Sequence, residues 1–379
     1  MRKSDCRKMA NKKLTVVQML PALDAGGVER GTLELGRYLV EQGHRSIVIS
    51  DGGRMLPDLI AQGSEHYCWD VGTKRLRTLF WIKKVRQLLQ ELKPDILHLR
   101  SRLPAWIGYQ AWKKLPVNDR PALVTTVHGP YTPGWYSSVM TRGERVIAIS
   151  EMIRSYILSN YPKVNEDLIR IIYRGVSRKD YYIGYTPDAD WLAQWAESYP
   201  QLKDKYVISL PARITRWKGH EDFVKIIEIV KSQGIDVIGL IVGEPHKRKQ
   251  HFMDELKQQI KAAGLEENIV FTGHRSDAKN IMAVSDAVLS LALDPEAFGR
   301  TSIEALSLGI PVVGYDHGGV HEQMHAVLPE GAVKPGDYKT AAGLLVKWLK
   351  NKPEIGLEHP FTLENMLEKT LAVYRELRP

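Results

Sequence analysis

The sequence predicts an α/β protein made of two doubly wound halves, each an open and mainly parallel sheet. Three observations predict it. Short apolar runs alternate with amphipathic stretches from Leu14 onward, the pattern of βαβ units. The alternation lapses between Val176 and Lys205 and then restarts. The chain has 379 residues, more than one ordinary core holds, so two domains are expected. The expected divisions are residues 1–185, residues 186–360, and a terminal stretch 361–379 that reads as a helix packing back on the first half.

Each element follows from its local pattern. In the first half, Leu14–Leu20 is an apolar strand running into the Gly26-Gly27 loop. An amphipathic helix follows over Val28–Gln42, with Gly43 placed as its C-terminal cap. Arg45–Ser50 reads as a strand and Leu59–Ala61 as part of a short helix. Thr73–Leu92 reads as a helix, with Leu76, Leu79, Phe80, Val85, Leu88, Leu89 and Leu92 at helical spacing. Asp95–Leu99, Ala122–His128 and Val146–Ser150 read as strands, Ala105–Lys113 and Ile153–Asn160 as helices, and Leu168–Tyr173 closes this half. After the lapse, with a short helix expected around Trp191–Glu197, the strands are Tyr206–Pro211, Val237–Val242, Ile269–Thr272, Ala287–Leu293, Pro311–Tyr315 and Ala332–Val333. Helices over Phe223–Gln233, Phe252–Ala263 and Ala278–Ala283 separate them, and Leu363–Leu377 is the last helix. No low-complexity tract or short-period repeat interrupts the pattern.

Composition narrows the class. Apolar residues make up 44% and charged residues 26%, the balance of a soluble globular protein. No apolar run is long enough to span a bilayer. The basic stretch Met1–Lys13 lacks the long apolar segment of a secretory signal. Two cysteines, Cys6 and Cys68, make no disulfide framework, so a reducing cytoplasm is expected. The net charge of +9 favours an anionic partner, whether nucleic acid, anionic lipid or phosphorylated ligand, without choosing among them.

The richest chemistry lies in Asp294–Val313. Glu296 falls in the loop after a buried strand, and Glu304, eight residues on, falls in the first turn of the next helix. Carboxyl ends of parallel strands and helix N-termini are where open α/β sheets bind ligands, and acids there accept hydrogen bonds from sugar hydroxyls. A plainer reading makes Thr301-Ser302-Ile303-Glu304 a capping box, with Thr301 as N-cap, and Glu296 an ordinary loop acid.

Other candidates carry the same double reading. Gly26-Gly27 lets a backbone approach an anion, or is a plain tight turn; neither a dinucleotide fingerprint nor a Walker A loop is present. Arg213 and Lys218, five residues apart after the first strand of the second half, suit a diphosphate, one by forked hydrogen bonds and one as a point charge, or form a solvated basic loop. His128, His98 and Arg100 end strands of the first half, where histidines are often only structural. Asp188-Ala189-Asp190 resembles a metal-binding pair but has no preceding strand. His317, His321 and His325 are spaced for a metal on a helix, yet Gly318 and Gly319 argue against a helix through His317, so no metal is expected at either place. The 73–92 helix carries Lys74, Arg75, Arg77, Lys83, Lys84 and Arg86 beside Phe80 and Trp81, a face for an anionic membrane surface or merely a solvated basic face.

Taken in order, these landmarks resemble the family 4 (group 1) retaining glycosyltransferases of the GT-B fold. They run from Gly26-Gly27-Val28-Glu29 through Gly43-His44, Pro94–His98, Thr126-Val127-His128-Gly129, Val146–Ser150, Arg174-Gly175-Val176, Arg213, Lys218-Gly219-His220, Val242-Gly243 and Phe271-Thr272-Gly273. They end in the stretch from Glu296 to Glu304 and in Gly318-Gly319-Val320-His321-Glu322. The ordered set covers nearly the whole chain. Arg100–Trp106 looks similar to bacterial lipopolysaccharide-type sugar transferases. The resemblance implies two Rossmann-like domains facing each other across a cleft, a nucleoside-diphosphate sugar as donor substrate (a UDP-sugar favoured), and a glycan or glycolipid acceptor. It implies no cofactor, no metal and no nucleic acid. It places Arg213 and Lys218 on the diphosphate, Glu304 on the ribose, and Glu296 with the amides near Phe298, Gly299 and Arg300 on the donor sugar. Thr301 and Gly243 join the donor set, and the base lies near Gly243-Glu244 and Gly273-His274-Arg275. Gly26 and Gly27 approach the donor phosphates or the acceptor, His128 stands near the anomeric carbon, and Arg100 and Arg102 meet the acceptor. Arg174 stands where the family commonly has Asn, Ser177 where it has Asp, and Arg100 where it has a second His. A cytoplasmic enzyme is expected, and peripheral contact with the inner membrane is compatible with it.

The implied transfer has an oxocarbenium-like transition state with negative charge growing on the departing diphosphate, so fixed cations take the place of a metal. Retention by front-face attack, with the leaving phosphate taking the acceptor proton, is favoured over Glu296 as a nucleophile. A non-hydrolysing nucleotide-sugar epimerase is the competing enzyme reading, separable because it turns over donor without acceptor. A basic membrane- or nucleic-acid-binding protein is the third.

Overall fold

The structure, a computed structural model, describes residues 12–24, 26–74, 78–245, 250–356 and 358–378. Its contacts divide the chain into two compact units, Met1–Tyr173 with Glu364–Pro379, and Arg174–Leu363. The sequence pattern, which lapses gradually, put this division at 185.

The first unit contains β1 (Thr15–Met19), α1 (Gly27–Glu41), β2 (Arg45–Ser50), α2 (Leu56–Ala61), β3 (Glu65–Cys68), α3 (Thr78–Leu92), β4 (Ile96–Leu99), α4 (Arg102–Lys113), β5 (Ala122–Val127), β6 (Arg145–Ala148), α5 (Glu151–Asn160) and β7 (Ile169–Ile171). Among the described residues its strands form a seven-stranded sheet in the order β3-β2-β1-β4-β5-β6-β7, with parallel pairing throughout. The central strands β4 and β5 are buried along their whole length, which is why they read as mainly apolar runs, interrupted by His98 in β4 and by Thr125 and Thr126 in β5. The edge strand β3 was not expected. Its sequence, Glu-His-Tyr-Cys, is only half-buried, and its strand character comes from pairing with β2. The basic helix begins at Thr78 among the described residues; Arg75, Leu76 and Arg77 lie outside them. Cys6 does also, and Cys68 is an exposed thiol.

The second unit contains α6 (Ala189–Ser198), β8 (Tyr206–Pro211), α7 (His220–Ser232), β9 (Val237–Val242), α8 (Gln250–Ala262), β10 (Ile269–Gly273), α9 (Ala278–Ala283), β11 (Ala287–Ser290), α10 (Arg300–Ser307), β12 (Val312–Tyr315), α11 (Gly318–Val327), β13 (Ala332–Val333) and α12 (Tyr338–Lys350). Its six described strands run in the order β10-β9-β8-β11-β12-β13, again in parallel. The chain passes to the other side of the sheet between β8 and β11, so the carboxyl ends of these two strands flank a switch point. Asp188 is the N-cap of α6, its carboxylate accepting from the Trp191 amide at 2.8 Å; it serves the helix. Gly175 is required where Val176 pairs with Thr362, because a Cβ there would meet the Thr362 carbonyl oxygen at 2.1 Å.

The last helix, α13 (Leu363–Leu377), belongs to the first unit from Glu364 onward. Its Tyr374 is fully buried, and the hydroxyl lies 2.6 Å from Nδ1 of His98 on β4. The other ring nitrogen of His98 lies 2.6 Å from the Thr126 hydroxyl on β5, so one imidazole joins two strands to the helix. At the far end, Glu376 accepts from Arg145 at 2.5 Å and from Arg170 at 2.6 Å.

The two guanidiniums pull the Glu376 carboxyl down to about 2 from its ordinary 4.5. Its folded value lies below its unfolded one, so the stabilisation is complete above pH 4.5 and is lost as pH falls toward 2. The cluster is half-exposed, which limits the effect to about 1 kcal/mol or less. Glu376→Gln should therefore lower the unfolding midpoint at pH 7 slightly and flatten its dependence between pH 5 and 2, as read by thermal melts across that range. Parallel wild-type and variant curves would exclude this linkage.

Candidate functional site

The candidate site of the second unit is built where strands end. β8, β9 and β10 stop at Pro211, Val242 and Gly273, and the segments that follow surround a cavity of about 620 Å³. Its lining includes Arg213 after β8, Gly243 and Glu244 after β9, His274 and Arg275 after β10, and Glu304 and Thr301 from α10. The predicted residues Arg213, Gly243, Thr301 and Glu304 thus converge, although nearly a hundred positions separate the first from the last. Gly243 carries a φ of +155°, and a Cβ on it would meet the Ala212 carbonyl oxygen at 2.1 Å. Only glycine lets β9's end lie this close to the residue before Arg213. Arg275 is held by a forked pair of hydrogen bonds to Asp277 at 2.8 and 2.6 Å, and its guanidinium lies 5.5 Å from the Trp195 ring centroid.

Lys218 and Glu296 do not line this cavity; they meet each other. The Lys218 ammonium donates to the Glu296 carboxylate at 2.7 Å, with the side chains 16% and 20% exposed. It also sits 4.3 Å from the Trp217 ring centroid. The turn carrying Lys218 ends at Gly219, whose φ is +73°; a Cβ there would strike the Leu291 carbonyl oxygen at 2.0 Å. The next residue, His220, is buried, and burial and then the Lys218 charge push its pKa down to about 4. It is neutral at physiological pH, so Lys218 and Arg213 supply the cationic charge of this stretch, with Arg216 turned to Glu255.

The Glu296 loop is held from the far side by α11. The Gly319 amide donates to the Glu296 carbonyl at 2.7 Å, and the Gln323 side-chain amide donates to the Phe298 carbonyl at 2.6 Å. A Cβ on Gly319 would lie 2.4 Å from the Phe298 Cα, and one on Gly318 would lie 2.5 Å from the Glu296 carbonyl oxygen. His317 is the N-cap residue of α11, and its ring lies 2.7 Å from the Ala292 carbonyl. Gln323 and His317 were not foreseen as part of this site; a buried glutamine one strand and one helix away carries no local signal. Gly318-Gly319 was a landmark without a mechanism, and the close approach to Phe298 supplies one.

The capping-box reading of Thr301–Glu304 is corrected. The N-cap of α10 is Gly299, in the left-handed region at φ +79°, and Glu304 lies beyond the first turn. Its carboxylate accepts instead from Arg300, one helical turn back, at 3.1 Å, and Thr301 directs its hydroxyl to the Pro211 carbonyl at 3.5 Å. Glycine caps the helix because the loop before it must bend sharply under α11.

The first unit holds the remaining candidates. Gly26, at φ +140°, is the N-cap residue of α1, and a Cβ on it would lie 2.6 Å from the Glu29 carboxylate, an acid in the helix's first turn. Gly27 opens the helix. His128 follows β5, its backbone amide donating to the Tyr131 hydroxyl at 3.4 Å. Arg102, at the start of α4, lies 4.8 Å from the Tyr131 ring centroid and 5.7 Å from that of Tyr136. Arg100, expected to meet an acceptor, is 3% exposed and donates to the Gln18 side chain on β1 at 2.9 Å. On the same unit Trp69 stacks on Trp81 at 5.5 Å, Lys84 lies about as close to the rings of Trp69, Phe80 and Trp81, and Phe80 is exposed. Among the described residues no helix is long and apolar enough to cross a membrane.

Comparison with known proteins agrees with this architecture. Residues 25–179 match the model of Glycosyltransferase Family 4, and residues 193–360 that of Glycosyl transferases group 1. A glycosyltransferase of Rickettsia africae is 30% identical, with a TM-score of 0.80 over 97% of this chain and 99% of that one. The Anabaena protein HepE, solved with UDP and glucose, shares the fold at 19% identity and a TM-score of 0.76, over 95% of this chain and 99% of its own. The N-acetyl-alpha-D-glucosaminyl L-malate synthase of Bacillus anthracis is 23% identical over 88% of this chain and 86% of its own.

Gly319→Ala forces the Glu296–Phe298 loop away from α11. Amide exchange of that loop should rise by about tenfold or more, as read by hydrogen–deuterium exchange, while the far-UV spectrum stays unchanged. Unaltered protection would show that the close approach does not hold the loop.

Proposed function

The chain belongs to the family 4, group 1 glycosyltransferases of the GT-B fold, and on that premise we propose that it moves a sugar, with retention, from a nucleoside-diphosphate sugar to a hydroxyl of a cell-surface glycan or glycolipid. UDP-sugars are the favoured donors. The observation that carries the reading is the convergence of Arg213, Gly243, Thr301 and Glu304 on one 620 Å³ cavity at the strand ends, with the Lys218–Glu296 pair built on the segments beside it.

In this reading the nucleoside enters the cavity, its base toward Gly243, Glu244, His274 and Arg275 and its ribose on Glu304. Arg213 and Lys218 hold the diphosphate. Glu296, with the backbone amides of Phe298, Gly299 and Arg300 at the start of α10, holds the donor sugar. The first unit supplies Gly26 and Gly27 near the phosphates or acceptor, His128 near the anomeric carbon, and Arg102 on the acceptor.

The pairing of Lys218 with Glu296 has a chemical consequence. Without donor, the carboxylate balances the ammonium. A diphosphate carries more charge than one carboxylate and draws the ammonium toward itself, leaving Glu296 to accept from sugar hydroxyls. As the anomeric C–O bond breaks, charge on the departing phosphate grows, so Arg213 and Lys218 bind it more strongly in the transition state than in the ground state. The acceptor oxygen attacks the face the diphosphate leaves, its proton passes to the leaving phosphate, and these two cations supply the charge that a metal would otherwise provide.

The test is transfer from candidate UDP-, GDP- and ADP-sugars to glycan acceptors in the presence of chelator, with products read by mass spectrometry. Lys218→Ala should lower kcat/KM by about 10²-fold or more, a few kcal/mol of lost charge stabilisation. Near-wild-type transfer by that variant would refute the diphosphate role, and donor turnover without acceptor would refute the transferase reading.

A lipid-linked acceptor lies at a membrane surface, and the Trp69, Phe80, Trp81 and Lys84 face of the first unit suits one with anionic headgroups. Lys84→Ala should weaken binding to vesicles containing anionic lipid by about 1 kcal/mol, roughly fivefold. Binding that ignores both salt and this substitution would remove the membrane from the proposal.

A further inference from the structure

Outside the cavity, the end of β12 and the exposed side of α11 bring three metal-ligating side chains together. His321 and His325 stand four residues apart on α11, one turn of helix, with ring centroids 4.2 Å apart. Asp316 precedes the helix, and its amide donates to the Val333 carbonyl on β13 at 2.7 Å, so its backbone is fixed to the sheet. One Asp316 carboxylate oxygen lies 2.6 Å from Nδ1 of His321 and 3.1 Å from Nε2 of His325. The three ligand atoms fall within 4.8 Å of one another, on side chains half-open to solvent.

We propose that Asp316, His321 and His325 bind a divalent transition-metal ion of the zinc, cobalt or nickel class, which clamps the exposed side of α11 to the end of β12. Metal–ligand bonds of about 2.1 Å put neighbouring ligand atoms about 3.0–3.4 Å apart in octahedral or tetrahedral geometry. The His325 contact already has that spacing, and the His321 contact needs to widen by under 1 Å. Two imidazoles and one carboxylate select a borderline transition metal over magnesium or calcium, and the open side leaves room for water ligands. His317 is not a ligand, since its ring is engaged by the Ala292 carbonyl; Asp316 takes the third place that a run of three histidines would have assigned to it.

The position gives the ion a consequence. The exposed side of α11 carries His321 and His325, and its buried side carries Gly319 and Gln323, which hold Glu296 and Phe298 by hydrogen bonds. Clamping α11 to the sheet therefore stiffens the 296–298 loop without placing the ion among the reacting groups. The alternative is a purely hydrogen-bonded triad in which the carboxylate accepts from both rings.

The two are separated by metal binding to the full chain after chelator treatment and desalting. Titration with Zn²⁺ or Co²⁺, followed by calorimetry and by the visible spectrum of Co²⁺, should show one ion per chain. Asp316→Asn and His325→Asn should each weaken that binding at least tenfold. Because the His325 side chain is exposed and that of Asp316 is a third open to solvent, circular dichroism of the variants should match wild type. Zn²⁺ should also slow amide exchange at residues 296–298 in wild type and leave His325→Asn unchanged. Absence of saturable binding, or equal affinity in the wild type and both variants, would overturn the site. Binding without altered exchange would overturn the clamp. None of these readings depends on transferase activity, so this site stands or falls apart from the proposed reaction.

Discussion

The hydrogen bond from the Gly319 amide to the Glu296 carbonyl, 2.7 Å long, is possible only because two glycines let α11 touch the backbone of the preceding loop. The rest of the site follows from that contact. With the loop pressed against α11, the chain must turn at Gly299 in a left-handed conformation before α10 begins. That turn sets where α10 starts and thus where Glu304 stands on the cavity wall. It also presents Glu296 to Lys218. Gln323, fully buried, secures the Phe298 carbonyl and prevents the loop from being held at one point alone.

The parallel sheet supplies the second constraint. In a doubly wound sheet every strand ends at the same edge, so residues remote in sequence arrive together once the register is set. Arg213, Gly243, Arg275 and Glu304 each follow a different strand, and the cavity exists because β8 lies between β9 and β11. Charge in and beside it is arranged by pairing: Arg275 is engaged by Asp277, Arg300 by Glu304, and, outside the cavity, Lys218 by Glu296.

Much of the strand and helix order was legible because burial on both faces of β4, β5, β9 and β11 leaves short, mainly apolar runs, and because helical spacing marks the long helices. The edge strand β3 escaped, since half-buried Glu65–Cys68 carries no such run. Glu304 was placed on the correct helix, and only the plainer capping-box reading of it failed: that box is a four-residue pattern, whereas the left-handed turn that makes Gly299 the cap lies in the loop packed against α11. The burial of Arg100 was not legible for a related reason, because its partner Gln18 sits on β1, eighty-two positions earlier.

Sequence alone determined the class, the family resemblance and the strand-end addresses of the candidate residues, because those depend on local burial patterns and on short motifs. Tertiary structure decided which of those residues share a wall and which pair with each other. It joined Arg213 to Glu304 across one cavity and Lys218 to Glu296 across 2.7 Å, sent Arg100 inward, and set Asp316 beside His321 and His325. The physical reason is distance along the chain. Contacts spanning tens of residues are fixed by sheet register and by the few places where glycine allows two backbones to touch, and neither leaves a mark on the residues nearby.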